Sequence, residues 1–189
     1  CASYARTELM SGVTTIRSVG GIQNFDSRLR DQINQGKVVG PRILAGNMAI
    51  SVPGGHMAGS LAYEAHSPEE TAGFVRKIVQ DKPDLIKLMI TGGVLDAEKK
   101  GEPGVLRMAP ELVKAACDEA HRLGYPVAAH VESPEGVKVA LQNGVDTIEH
   151  GALPDGEILE LFKARGAAHV ATLSPALPYA LFDREVSHI

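Results

Sequence analysis

The apolar positions of the chain fall into two alternating kinds of pattern. Short, continuous apolar runs lie near residues 13–17, 42–46, 84–90, 126–130, 145–149 and 167–172. Runs that do not alternate with polar residues suit strands covered on both faces. Between them lie stretches whose apolar residues recur every three or four positions, as in a helix with one buried face. Ser67-Pro68-Glu69-Glu70 opens one such stretch as a capping box with proline in the first turn, and Phe74, Val75, Ile78 and Val79 then share a side. Pro110 opens another, with Leu112, Val113, Ala116, Cys117 and Ala120 inward. Ser133-Pro134-Glu135 opens a third, with Val137, Ala140 and Leu141 inward. Asp155 caps a fourth, with Ile158, Leu159 and Phe162 inward. Two more helices are expected, from about Ser3 to Met10 and from about Asp26 to Gln35. Gly12, Gly124, Gly144 and Gly166 each stand between a helix and the apolar run after it. A residue without a Cβ takes the left-handed conformation that ends a helix.

Repeated strand–helix units imply a parallel sheet with right-handed crossovers, either doubly wound or a (β/α) barrel. A whole barrel needs eight strands and roughly 250 residues. The six runs and 189 residues fall short of that. The hydrophobic fraction of 44% and charged fraction of 22% suit one soluble globular domain, or part of one. With 19 basic and 23 acidic residues the net charge is −4, which argues against a nucleic-acid partner held by phosphate attraction. No run of 18 apolar residues is present to span a membrane, and the first residues lack the apolar core of a signal peptide. Two cysteines, Cys1 and Cys117, are too few for a disulfide scaffold. Cys117 reads as a buried thiol, and a cytoplasmic location is expected. Because residue 1 is Cys and not Met, the chain is either processed or begins inside a longer one.

Two histidines end strands: His130 closes the run from Pro126, and His150, followed by Gly151, closes the run from Asp146. Parallel α/β folds place their sites at such carboxyl ends. Neighbouring strands lie about 4.8 Å apart, so two imidazoles there can share a zinc at about 2.0–2.1 Å. Either histidine alone reads equally well as a satisfied hydrogen-bonding group; two at equivalent positions of successive units favour ligation. Lys87 lies inside the apolar run Leu85–Ile90. Burial disfavours an ammonium and leaves a neutral amine, which can serve as base, as Schiff-base nucleophile or as acceptor of carbon dioxide. A lysine with a buried stem and a wet head stays open as the other reading. Gly54-Gly55-His56 and Thr91-Gly92-Gly93 follow runs at the same rim. His56 there either meets substrate, polarising a carbonyl, or is a solvated loop residue. His66, His121, His169 and His188 read as structural or surface residues, and Ser174-Pro175 as a pocket lining. Neither a phosphate loop nor a GxSxG elbow occurs.

Taken together, these residues resemble the amidohydrolase superfamily of metal-dependent hydrolases, and within it the Xaa-Pro dipeptidase and imidazolonepropionase-like branch. The stretches that carry the resemblance are Gly12–Arg17, Gly40–Leu44, Gly54–His56, Asp84–Lys87 with Gly92–Val94, and Ala129–His130 through Gly144–Gly151. It implies an α/β fold of the metal-dependent hydrolase type, a distorted (β/α) barrel with one or two divalent metals, zinc above all, at its mouth. By position, Lys87 matches the carboxylated lysine that bridges two metals, His130 and His150 match the ligands of the fifth and sixth strands, and His56 matches the loop histidine near substrate. The implied reaction is hydrolysis of an amide or other non-ester C–N bond of a small molecule or dipeptide.

The chain also departs from that pattern. No His-x-His pair occurs, and Ser18 stands where the branch often has Asp. The catalytic Asp of an eighth strand has no counterpart, since Asp183 follows the last run too soon. Residues 1–189 therefore read as an incomplete barrel, about strands two to seven, without the first and eighth strands or the small β-sandwich. Three readings follow: a segment of a binuclear dipeptide or N-acyl amino acid hydrolase; a segment of a mononuclear cyclic-amide or imidazolone hydrolase; or an inactive barrel fragment that self-associates as a homo-oligomer through its open strand edges. With three of six expected ligands, the chain alone is expected to hold no tight binuclear centre.

Overall fold

The computed structural model describes residues 1–172. Ser174, Pro175, Asp183 and His188 lie outside them. Six α-helices are described: α1 (Ala2–Met10), α2 (Phe25–Asn34), α3 (Pro68–Ile78), α4 (Pro110–Arg122), α5 (Pro134–Gln142) and α6 (Gly156–Arg165). The expected caps form. Ser67, Ser133 and Asp155 each accept a backbone N–H of the first turn, from Glu70 (3.2 Å), Gly136 (3.2 Å) and Ile158 (2.8 Å). Gly166 takes the left-handed conformation at φ 67° and ends α6.

Eight strands are described: β1 (Thr15–Arg17), β2 (Arg42–Leu44), β3 (Ala49–Ser51), β4 (Ala62–Glu64), β5 (Ile86–Met89), β6 (Val127–Val131), β7 (Thr147–His150) and β8 (Ala168–Val170). Each of the six expected runs overlaps one of them. The sequence reading missed β3 and β4, which each end on a polar residue, Ser51 or Glu64, and flank the glycine-rich loop of Gly54, Gly55 and Gly59. The ladders are parallel throughout, in a six-stranded sheet of order β4-β3-β5-β6-β7-β8 and a separate β1-β2 pair. Among the described residues the barrel is not closed, and β8, at the sheet edge, is exposed along its length.

The inner strands carry two chemically different faces. Ile86, Leu88 and Ile90 of the β5 segment pack outward, in one cluster with Val75 and Ile78 of α3, Val113, Ala116 and Ala120 of α4, and Val137, Ala140 and Leu141 of α5. Lys87 and Met89 alternate with them and face the other way, onto the small inner cluster of Ala49, Ala62 and Met89. The run Leu85–Ile90 looked unbroken because both faces are covered. Cys117 is buried as expected, and burial pushes its thiol up to about 12. One inward assignment needs correction: Leu159 is 48% exposed. Within α6 only Ile158 is buried, since the sheet edge below it offers little to cover.

Candidate active site

The register of the sheet sets the depth of each candidate. Lys87 pairs with Ala128, Met89 with His130, and Val131 with His150. Lys87 therefore lies two residues deeper than His130, about 6.6 Å at the usual rise, and His150 sits at the rim. His56 arrives from the loop after β3, and not after the run near 42–46 as the sequence suggested. All four line one cavity of about 170 Å³ with Val19, Gly20, Met57, Leu61 and Met89. The rings meet directly. His56 stacks on His130 with centroids 4.2 Å apart and planes 23° apart, and His130 meets His150 edge-on at 4.8 Å.

Burial sets the electrostatics. Lys87 is 2% exposed. Desolvation lowers its pKa to about 7, against the attraction of Glu149, with Arg17 adding a smaller downward push. Glu149 is itself engaged: Arg17 donates to its Oε1 at 2.6 Å and to Thr147 Oγ1 at 3.0 Å. Arg17 belongs to the β1-β2 pair, so it ties that pair to β7. Desolvation also lowers His130 to about 3, although the Gly92 carbonyl favours the charged ring; His56, Lys87 and His150 lower it further. His150 is lowered by desolvation first and by Lys87 next. His130, His150 and the lysine are thus held toward their neutral forms, which carry free lone pairs.

Hydrogen bonds select which lone pair each ring offers. The Gly92 carbonyl can only accept, so His130 Nε2, at 2.7 Å, carries the hydrogen and Nδ1 is left bare. His150 Nδ1 lies 2.9 Å from the Thr172 hydroxyl, and His169 Nε2 donates to the His150 carbonyl at 2.8 Å. His150 has a left-handed backbone, φ 66°. A non-glycine residue held there costs on the order of 1 kcal/mol, and such strain gathers at functional sites. Gly151, at φ 80°, continues the turn and leaves room for the His169 ring. The Gly92-Gly93 pair also has a local reason. A Cβ on Gly93 would collide with the His56 ring, and one on Gly92 with the Glu102 carbonyl.

Sequence reasoning missed two acidic partners. Glu132 joins His130 and His150 in a group whose ligand atoms all lie within 4.8 Å of one another. Its carboxyl is raised by desolvation, with His56 acting the other way. Continuing the period of two past His130 would have found it. Asp96 binds His56 Nδ1 from 40 residues away, a pairing with no local signal. His66 and His121 are accounted for outside the cavity: the His66 backbone N–H donates to Glu70, and His121 pairs with Asp146.

Parallel βα units that gather buried nitrogen donors at their carboxyl ends are the architecture of (β/α)-barrel enzymes. The chain belongs to the Amidohydrolase family, whose model matches residues 1–186. It is 28% identical over 190 residues to the ochratoxinase of Aspergillus niger, covering 88% of this chain and 38% of that protein. The crystal structure of A. niger ochratoxinase superposes with a TM-score of 0.83 at 27% identity, over 92% of this chain and 45% of that one. A Xaa-Pro dipeptidase with methionine bound in its active site gives a TM-score of 0.83 at 34% identity, over 98% of this chain and 48% of that one. Molinate hydrolase, at 20% identity and a TM-score of 0.72 over 89% of this chain and 43% of that one, shares the fold. The chain spans less than half the length of each of these relatives. Among the described residues no helix is long and apolar enough to cross a membrane.

Proposed function

We propose that residues 1–189 form the central part of the catalytic domain of a metal-dependent hydrolase that cleaves amide or other non-ester C–N bonds in dipeptides or N-acyl amino acids. The observation that carries this reading is the meeting of His56, Lys87, His130 and His150 in one cavity at the carboxyl ends of parallel strands. The similarity to a Xaa-Pro dipeptidase and to ochratoxinase supports it.

The donor set fits a divalent metal of the zinc type. His130 Nδ1 and the Nε2 of His150 are the ring nitrogens left by their other hydrogen bonds. A ligating histidine commonly has its second nitrogen held in this way. Lys87, with its pKa lowered to about 7, suits carbamate formation: the neutral amine adds carbon dioxide, one proton leaves, and a single negative charge is shared by two oxygens. Those oxygens, His130 and His150 would hold one or two zinc ions. When bound, zinc lowers the pKa of a water and polarises a carbonyl. The residues themselves supply the rest. Arg17 and Glu149 tie the β1-β2 pair to β7, the buried walls around Met89 keep bulk water away from Lys87, and His56 faces the substrate.

A second reading rests on Glu132. With His130 and His150 it offers three ligand atoms without Lys87, which suits a mononuclear cyclic-amide hydrolase with an unmodified lysine. Zinc analysis of the purified protein that carries this chain, together with hydrolysis assays on Xaa-Pro dipeptides, N-acyl amino acids and cyclic amides, decides between them. About two zincs per chain, reduced in Lys87→Ala, with dipeptide or N-acyl hydrolysis, is expected. One zinc, unaffected by that substitution, favours the second reading. Full activity after metal removal overturns both.

A further inference from the structure

We infer that Asp96 is the positioning residue of His56, the side chain that fixes which of its ring nitrogens faces substrate. The inference rests on the hydrolase reading and deepens it. His56 and Asp96 come from different loops, one after β3 and one after β5. Asp96 Oδ2 binds His56 Nδ1 and also accepts the Met57 backbone N–H at 3.2 Å. One carboxylate oxygen therefore clasps the other loop at two successive residues.

The ring it holds cannot easily turn. His56 is 8% exposed. One side of the ring stacks on His130, and the Gly93 backbone lies so close that a Cβ there would strike it. His56 is also a wall between two cavities. On one side is the 170 Å³ cavity with Lys87, His130 and His150; on the other is a 40 Å³ pocket with Asp96, Gly93, Glu102 and Arg107. Asp96 approaches from the small pocket. A carboxylate accepts but does not donate, so it places the hydrogen of a neutral ring on Nδ1. Nε2 is then the nitrogen free to meet a substrate in the larger cavity. A partner that fixes tautomer and orientation is what the third member of a catalytic triad supplies to its histidine.

The test uses zinc-loaded protein carrying this chain and its Asp96→Ala, Asp96→Asn and His56→Ala variants. Nitrogen-15 NMR of the histidine side chains reports the His56 tautomer without requiring turnover. The wild type is expected to show a protonated-type Nδ1 and a bare-type Nε2, Asp96→Ala to mix the two, and Asp96→Asn, whose amide oxygen can still accept, to keep them. In kinetics, Asp96→Ala is expected to lower kcat about 10- to 100-fold, the range lost when a group that orients a ligand histidine is removed, with zinc content unchanged. Added to His56→Ala it should cost little more, because the two act through one group. An unchanged His56 signature in Asp96→Ala, or a full further loss on top of His56→Ala, would overturn the inference and leave Asp96 as a loop tie. A shifted signature in a protein that hydrolyses no amide would uphold the positioning and reject the hydrolase reading.

Discussion

The two ends of the same parallel strands hold opposite kinds of polar group. At the amino ends, aspartates are paired with basic side chains. Asp84 Oδ2 accepts the Ala45 N–H and an Arg30 N–H, each at 2.7 Å. Asp146 Oδ2 accepts the Val127 N–H at 2.8 Å and meets His121 Nε2 at 2.7 Å, while its Oδ1 takes Arg165 at 3.2 Å. Each aspartate ties the backbone of another segment, at Ala45 or Val127, to a basic side chain. Toward the carboxyl ends, Lys87 and His130 are buried and His150 half-buried, and desolvation drives all three away from their charged forms. Matched charge at one end locks strands together. Withheld charge at the other leaves lone pairs for chemistry, at a cost in stability.

Substitutions at the two ends should therefore separate activity from stability. The largest effect is expected from Lys87→Met. Turnover should fall by more than a hundredfold, since even an outer partner of a metal ligand is worth about 10–100-fold. In metal-free protein the same change should raise stability by about 1–3 kcal/mol, because a buried polar group is replaced by an apolar one of similar length. Paired assays and urea titrations read both signs; a fall in both would end the contrast.

Asp146→Ala should do the reverse. Unfolding should become easier by roughly 2–4 kcal/mol, as Arg165 and the Val127 N–H lose a charged partner. The kcat of the folded enzyme should stay within about twofold.

The pH dependence of stability has a definite sign. The folded pKa of Lys87, about 7, lies below the ordinary 10.5. Between these values the unfolded chain binds more protons, so metal-free stability rises with pH from 7 to 10.5, and the penalty is complete below 7. Urea midpoints at pH 7 and 9.5 should rise more in the wild type than in Lys87→Met.

Much of this was legible in the chain because it depends on neighbours within one turn or one strand. Ser67, Ser133 and Asp155 cap helices through bonds to residues three positions on. The inward faces of α4 and α5 follow from a period of 3.6. His56, Lys87, His130 and His150 stood out because strand ends and a buried amine are local features. β3 and β4 did not, since each closes on a polar residue, Ser51 or Glu64, and together they flank a loop rich in glycine.

By itself the sequence determined the parallel α/β units, the family resemblance and the four residues of the candidate site. Hydrophobic periodicity and capping are short-range, and they are written into consecutive residues. Only the tertiary structure decided that Arg17 reaches Glu149 across 132 positions, that Asp96 holds His56, and that His130 offers Nδ1. Those outcomes depend on which backbones approach within hydrogen-bond distance and on how much water burial removes, and neither is set until the helices have packed against the sheet.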